Sequence, residues 1–272
     1  MVQNIAIKIS FDGSCFHGWQ FQKNALTVQE VLQNSWQELT GEIIQIVGSS
    51  RTDSGVHAKG LIANFITKTS IPTEKIHLAY NTVLPEGLAV IAAKKVPLEF
   101  NARFDSIGKH YSYYLFIEKY KPTYLRNFVA HINQSLDIEE MTAALSCFIG
   151  EKDFASFMDQ GSPVRHTIRE ITGINLEFKS NNILEINVFG DGFLYHMVRI
   201  IAGTLVYIGN GKINKSDLPG LILAKDRRRL GKTMPPQGLF LNRVYFENEL
   251  FGDDSLQNFL FDASQRRGKI NV

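Results

Sequence analysis

Two cysteines, Cys15 and Cys147, are all that the 272 residues contain. So few exclude a disulfide scaffold and a cysteine-rich metal site. Neither CxxC nor HExxH occurs. Low cysteine use fits a reducing compartment. Long apolar runs are missing too. The best, 200–209, falls short of the ~18 residues that cross a bilayer. Residues 1–5 lack the basic and apolar blocks of a signal peptide. A cytoplasmic protein with no membrane attachment is expected. Charge of one sign is scarce as well. Lys and Arg total 29 against 27 Asp and Glu, a net charge of +2. That excludes a histone-like binder driven by bulk charge. Any contact with nucleic acid must come from local clusters.

What is present is a globular composition, 44% apolar and 21% charged, with 19 Phe. Enough apolar surface exists to offset the ordering entropy of folding. No low-complexity linker or charge block divides the chain, yet one pattern of elements occurs twice. In the first half a strand is predicted over 5–11, ending at Asp12-Gly13. Thr27-Val28-Gln29-Glu30 reads as a capping box, opening a helix that Gly41 ends. Strands follow over 42–47 and 61–67, then a helix over 73–82 and a strand over 88–96. The second half starts with a strand over 111–117 and an Asp137-capped helix ended by Gly150. Strands over 168–178 and 184–189 follow, then helical segments over 193–208 and 216–224, then a strand over 239–246.

The order β-α-β-β-α-β, met twice, predicts an α+β fold. Two tandem ferredoxin-like halves are expected to form a continuous mixed/antiparallel sheet flanked by helices, with a central active-site cleft. The expected units are 1–104, carrying the candidate catalytic loop, 105–247, and a C-terminal extension over 248–272. In that extension Leu256, Phe259, Leu260 and Phe261 suit a short docked helix.

Between the second and third strands lies Gly48-Ser49-Ser50-Arg51-Thr52-Asp53-Ser54-Gly55-Val56-His57-Ala58, the densest polar stretch of the first half. An ordinary hairpin needs only a few residues there. Arg51 beside Asp53 favours an ionised carboxylate, which can serve as nucleophile or base. On composition alone, a tight turn with a structural Arg–Asp pair is an equal reading. Phosphate-loop readings are weak. Gly231-Lys232-Thr233 ends like a P-loop, but Asp226 stands where glycine is required, and Gly190-Asp191-Gly192 lacks a third glycine.

The segment Arg51-Thr52-Asp53-Ser54-Gly55-Val56-His57-Ala58 resembles the catalytic motif of the tRNA pseudouridine synthase A family. Five further blocks resemble that family in order. They are Phe11-Asp12-Gly13-Ser14 with Phe16-His17-Gly18-Trp19-Gln20, Phe100-Asn101-Ala102-Arg103-Phe104 with Tyr111, Gly150-Glu151-Lys152-Asp153-Phe154-Ala155-Ser156-Phe157, Phe193-Leu194-Tyr195-His196-Met197-Val198-Arg199, and Pro235-Pro236-Gln237-Gly238-Leu239 with Leu241. Together they span 11–246, nearly the whole chain. Departures are small. Ser49, Ser50 and Ser54 replace frequent alanine or glycine, Phe11 a frequent tyrosine, and Lys109-His110 two common arginines. The last change softens phosphate contact, since Lys lacks the bidentate fork of Arg.

The resemblance implies isomerisation of uridine to pseudouridine in tRNA, at positions 38, 39 and 40 of the anticodon arm. The base leaves C1′ through N1 and rejoins through C5, so no cofactor and no metal are expected. Asp53 is implied as the catalytic residue, attacking sugar or base or taking a sugar proton. Arg51, Arg199, His196 and Leu239 are implied to bind substrate, with Tyr111 as the resting face for an extruded base. Spacing alone would also put Tyr111 in the core beside Tyr113. The partner is tRNA, with no DNA, and the family resemblance implies a homodimer.

Two features stand apart. Gly192, His196, Arg199 and Gly203 form one stripe on an otherwise apolar helix, and a buried Arg199 needs an anion. That anion is Asp53, an RNA phosphate or a structural acid. Lys225-Asp226-Arg227-Arg228-Arg229-Leu230-Gly231-Lys232 is a basic run. Lys109, Arg227, Arg228 and Arg229 are candidate phosphate contacts, against the plain reading of a solvated loop. Arg266, Arg267 and Lys269 form a second cluster. Two other functions stay open. One is a non-catalytic RNA-binding protein on tandem ferredoxin-like units. The other is a hydrolase using Ser50 or Ser54 with His57.

Overall fold

The computed structural model describes residues 1–161, 164, 166–180 and 182–252. Strand β1 (Gln3–Phe11) leads through a short 3-10 turn to helix α1 (Val28–Thr40), then to β2 (Val47–Gly48), β3 (His57–Thr67), α2 (Ile76–Asn81) and β4 (Leu88–Val96). The chain continues as β5 (Ser106–Ile117), β6 (Ala130–Ile132), α3 (Ile138–Ala144), β7 (Gly150–Asp153), β8 (Ile168–Ser180), β9 (Ile183–Gly190), α4 (Met197–Gly209), α5 (Leu218–Leu223) and β10 (Leu239–Phe246).

The strands share one sheet in the order β4-β1-β3-β10-β5-β9-β8-β7, with β2 beside β3 and β6 beside β5. Both halves obey one rule. The first reads β4-β1-β3-β2 and the second β10-β5-β9-β8, in each case the fourth, first, third and second strand of its repeat. The tandem α+β architecture is therefore as expected, with β6 and β7 as additions. The halves meet where β10 runs parallel to β3, pairing Phe240 with His57 and Leu241 with Ala58.

Local chemistry explains the elements. The Thr27 hydroxyl accepts from the Glu30 amide, and Gly41 ends α1 at φ +74°, a conformation that favours glycine. Trp36 of α1 packs its ring 4.9 Å from Phe65 of β3 and 5.1 Å from Tyr80 of α2. Every residue of α4 except Arg199 and Tyr207 is buried, as its apolar circumference requires.

Several boundaries differ from the sequence reading. The strand expected over 42–47 shrinks to two residues, because α1 takes the backbone groups it would have used. The Ile46 amide donates to the Gln33 side chain (3.1 Å), and its carbonyl accepts from Gln29 (2.9 Å). The helix expected from 193 starts at Met197, because His196 adopts φ +64°. The helix expected to run to Gly150 stops at Ala144 and continues as a 3-10 turn. The expected helix over 256–261 and the cluster of Arg266, Arg267 and Lys269 lie outside the described residues. Among those described, no helix is long and apolar enough to cross a membrane.

Candidate active site

The polar loop joins β2 to β3 and rests on the segment that follows β1. The Trp19 amide donates to the Thr52 carbonyl (3.1 Å), and the Gly13 amide to His57 Nδ1 (3.0 Å). Gly18 sits at φ +84°, and a Cβ there would lie 2.5 Å from the Thr52 carbonyl oxygen. Only glycine allows that approach. The first motif block is thus the floor of the loop.

Asp53 hangs above this floor, a quarter exposed. Arg199 of α4 donates through Nη1 to Asp53 Oδ2 (2.9 Å) and through Nε to the Met234 carbonyl (2.7 Å). His196 Nε2 lies 3.4 Å from the same Oδ2. Asp53 Oδ1 has no partner among the described residues. One carboxylate oxygen is tethered and the other is left open. Behind it, His196 Nδ1 donates to Asp159 Oδ2 (2.7 Å). Asp159 also accepts from Arg227 Nε (2.8 Å) and the Thr233 hydroxyl (2.7 Å). Burial alone would raise the Asp159 pKa, but these donors outweigh it and hold the carboxyl below its ordinary range.

The segment 231–234 carrying Thr233 and Met234 lies flat on α4. A Cβ at Gly203 would fall 1.9 Å from the Lys232 carbonyl oxygen, and one at Gly231 would fall 2.2 Å from Gly203. The Gly231 amide also donates to the Thr204 hydroxyl (3.2 Å). Gly231-Lys232-Thr233 is therefore a close-packed strap rather than a phosphate loop.

Tyr111 and Leu239 form the far wall of the cleft, both nearly buried yet lining it. The Tyr111 hydroxyl shares a hydrogen bond with Ser50 (2.9 Å), and its ring meets Phe193 edge-on at 5.3 Å. Burial pushes its pKa up to about 12. Tyr111 is thus both a core residue and part of the cleft wall. Below it, Tyr113 donates to the Pro235 carbonyl (2.6 Å) and fills the space that a Cβ on Gly238 would need. That contact seats the 235–239 block.

The cleft has a volume of about 990 Å³ and gathers residues from both halves. Among the described residues its lining includes His17, Arg51, Arg103, Lys109, Arg169 and His196, against a single carboxylate, Asp53. Burial, with Arg103 and Arg169 adding repulsion, pushes Lys109 down to about 8. Lys109 has no ion-pair partner among the described residues.

Not every candidate lies where the sequence suggested. Arg51 lines the cleft but is exposed, and Asp53 pairs with Arg199 instead. Arg227 is not free for phosphate. All three of its donor groups turn inward, to Asp159, the Gly231 carbonyl (2.8 Å) and Thr233 (2.7 Å). Arg228 is exposed and clasped by Asp226, and Arg229 is exposed. Neither lines the cleft. His57 is buried, with Nδ1 accepting from Gly13, Nε2 donating to the Asn127 carbonyl (2.8 Å), and its ring stacked on Phe240 at 4.4 Å. It reaches neither Ser50 nor Ser54, so the hydrolase reading falls. Asp159, Thr233, Arg103 and Arg169 are site residues that sequence reasoning missed. Only Arg103 sat inside a motif block.

The family described as tRNA pseudouridine synthase matches residues 7–105 and 144–247. The chain is 44% identical over 245 residues to "tRNA pseudouridine synthase A" of Ruminiclostridium cellulolyticum, covering 90% of this chain and 100% of the relative. It is 41% identical, with the same coverage, to the enzyme of that name from Acetivibrio thermocellus. This chain belongs to the tRNA pseudouridine synthase family. It is an isomerase that acts on tRNA, so the reading as a non-catalytic RNA-binding protein does not stand. Likeness to solved structures is slight, with a TM-score of 0.34 and 11% identity to an archaeal box H/ACA Nop10–Cbf5 complex, over 95% of this chain and 64% of that one. For a synthase, the site has a coherent layout. Asp53, the lone acid among the described lining residues, stands at the base of a cationic cleft, with apolar and aromatic walls beside it.

Proposed function

We propose that Asp53 is the catalytic carboxylate that isomerises uridine at positions 38, 39 and 40 of the tRNA anticodon stem-loop. The observation that carries this reading is that, among the described residues, Asp53 is the only acid lining the cleft, with Oδ2 held by Arg199 and Oδ1 open. The target uridine leaves its stem and enters the cleft, because a stacked base is out of reach of any side chain. Tyr111 and Leu239 give it an apolar resting face. The N1–C1′ bond breaks, the ring turns, and C5 bonds to C1′. C5 then loses its proton and N1 gains one, so the reaction balances without a cofactor. Arg51 and Lys109, both on the cleft lining, are the contacts for flanking phosphates. Arg199 serves substrate by fixing Asp53, and His196 does so from the other side. A dimer that works in the cytoplasm completes the reading, on the strength of the family resemblance.

The test is Asp53→Asn, assayed by chemical labelling of pseudouridine in an undermodified tRNA. Product disappears while tRNA binding persists. Unchanged product yield sinks the assignment. Mapping pseudouridine in tRNA from cells with and without the protein tests the three positions, and loss confined to other sites overturns them.

A further inference from the structure

Asp159 does not line the cleft, yet it has more side-chain partners than Asp53 itself. Oδ2 accepts from His196 Nδ1 and the Thr233 hydroxyl, and Oδ1 from Arg227 Nε. Its backbone amide donates to the Tyr195 carbonyl (3.3 Å). It therefore grips the 195–196 turn by main chain and side chain together.

That turn is strained. His196 is one of two non-glycine residues at positive φ among those described. Such a backbone persists only where its surroundings over-determine it. The Tyr195 ring stacks on the imidazole at 3.7 Å. The groups facing His196 are Asp159 on Nδ1 and Asp53 on Nε2, with Arg199 beyond Asp53 and Arg227 beyond Asp159. Carboxylates only accept, so the ring's Nδ1 carries the proton that bonds Asp159, and Nε2 faces Asp53 Oδ2 at 3.4 Å.

The geometry points to Asp159 as a positioning residue for Asp53 that acts through the His196 ring. Arg199 and His196 approach the same Asp53 oxygen from two sides. One contact would leave the carboxylate free to pivot, whereas two fix which oxygen faces the cleft. Asp159 sets the orientation of the imidazole and anchors it through Arg227 and Thr233 to the strap on α4. Small misplacement of a reacting group costs about 100-fold in rate per ångström, so this support reaches the chemistry without touching substrate. The inference rests on Asp53 being the catalytic carboxylate.

The experiment measures single-turnover rate and tRNA affinity in the full-length protein for Asp159→Asn, His196→Ala and the double variant. Asp159→Asn is expected to slow the reaction on the order of 10- to 100-fold with tRNA affinity unchanged. In the His196→Ala background the same change is expected to slow it by less than about twofold, the mark of two residues in one relay. A full-sized effect in that background overturns the proposal, since Asp159 would then act through Arg227 and the strap. An unchanged rate in Asp159→Asn, or a loss confined to tRNA affinity, overturns it too. Where Asp159→Asn does not fold, the imidazole nitrogen shifts of His196 in the unaltered protein decide. An N–H on Nδ1 is expected, and a ring whose only proton sits on Nε2 overturns the proposal. An active Asp53→Asn enzyme removes the reading beneath it, whereas an inactive one with additive Asp159 and His196 effects removes only the relay.

Discussion

Arg199 donates to Asp53 at 2.9 Å across 146 residues of sequence, and the same guanidinium holds the Met234 carbonyl at 2.7 Å. Two directions of donation are used at once, which needs the planar fork of arginine. Arg199→Lys keeps the charge but cannot span both partners. The rate is expected to fall at least about tenfold with a small loss of stability. Arg199→Ala leaves the Met234 carbonyl without its donor and Asp53 with the His196 contact alone, and costs about 1–3 kcal/mol in urea unfolding. A wild-type rate in Arg199→Lys would show that charge alone suffices.

Lys109 predicts a pH dependence of tRNA binding. Its folded-state pKa is about 8, below the ordinary 10.5, because burial and its cationic neighbours disfavour the ammonium. A bound phosphate favours that ammonium, so binding takes up a proton near pH 8. Affinity is expected to fall as pH rises from 7 to 9, and Lys109→Arg to flatten that slope. Lys109→Ala should lower the salt slope of binding by about one. The sign for folding is opposite. The unfolded chain binds the proton more tightly between pH 8 and 10.5, so stability rises with pH across that window. Filter binding at fixed salt reads the first effect, and a slope shared by Lys109→Arg refutes the assignment.

Gly203→Ala places a methyl group 1.9 Å from the Lys232 carbonyl oxygen. Backbone cannot yield as a side chain can, so a loss of about 1–3 kcal/mol is expected. Activity is expected to drop with it, since Thr233 and Met234 ride on the displaced strap. Gly220→Ala, on α5 with nothing within 4 Å of its Cβ position, is the control and should be neutral or slightly stabilising. Equal melting curves for the two variants would refute the strap.

The sequence shows its local rules plainly and its long-range ones poorly. The caps at Thr27 and Asp137 are legible because a hydroxyl or carboxylate three residues before an open amide is a short-range bond, and both form. The loop 48–56 is legible because such a run of polar and small residues has no place in an ordinary hairpin. Arg199 is legible as a charge on an apolar helix that must find an anion. Its choice of Asp53 over an RNA phosphate is a matter of tertiary placement. The short β2 is hidden, since nothing in Gln29 or Gln33 says that their amides replace a strand partner. Arg227 reads as one of three equal arginines until folding turns it inward. Asp159 carries no signal at all, because its partners come from 37 to 74 positions away.

The joint between β3 and β10 has a consequence for how the molecule comes into being. Asp53 sits just before β3, and its strap and wall come from 231–239, just before the strand that locks onto β3. A nascent chain that has delivered its first half to solvent holds the loop but neither Arg199 nor Leu239. Domains form in order of synthesis, so the Asp53 carboxylate stays without Arg199 until the second half has emerged. A chain cut between the halves keeps Asp53 and loses Arg199, His196 and Leu239. Arrival of the second half is thus checked by the same contacts that build the pocket.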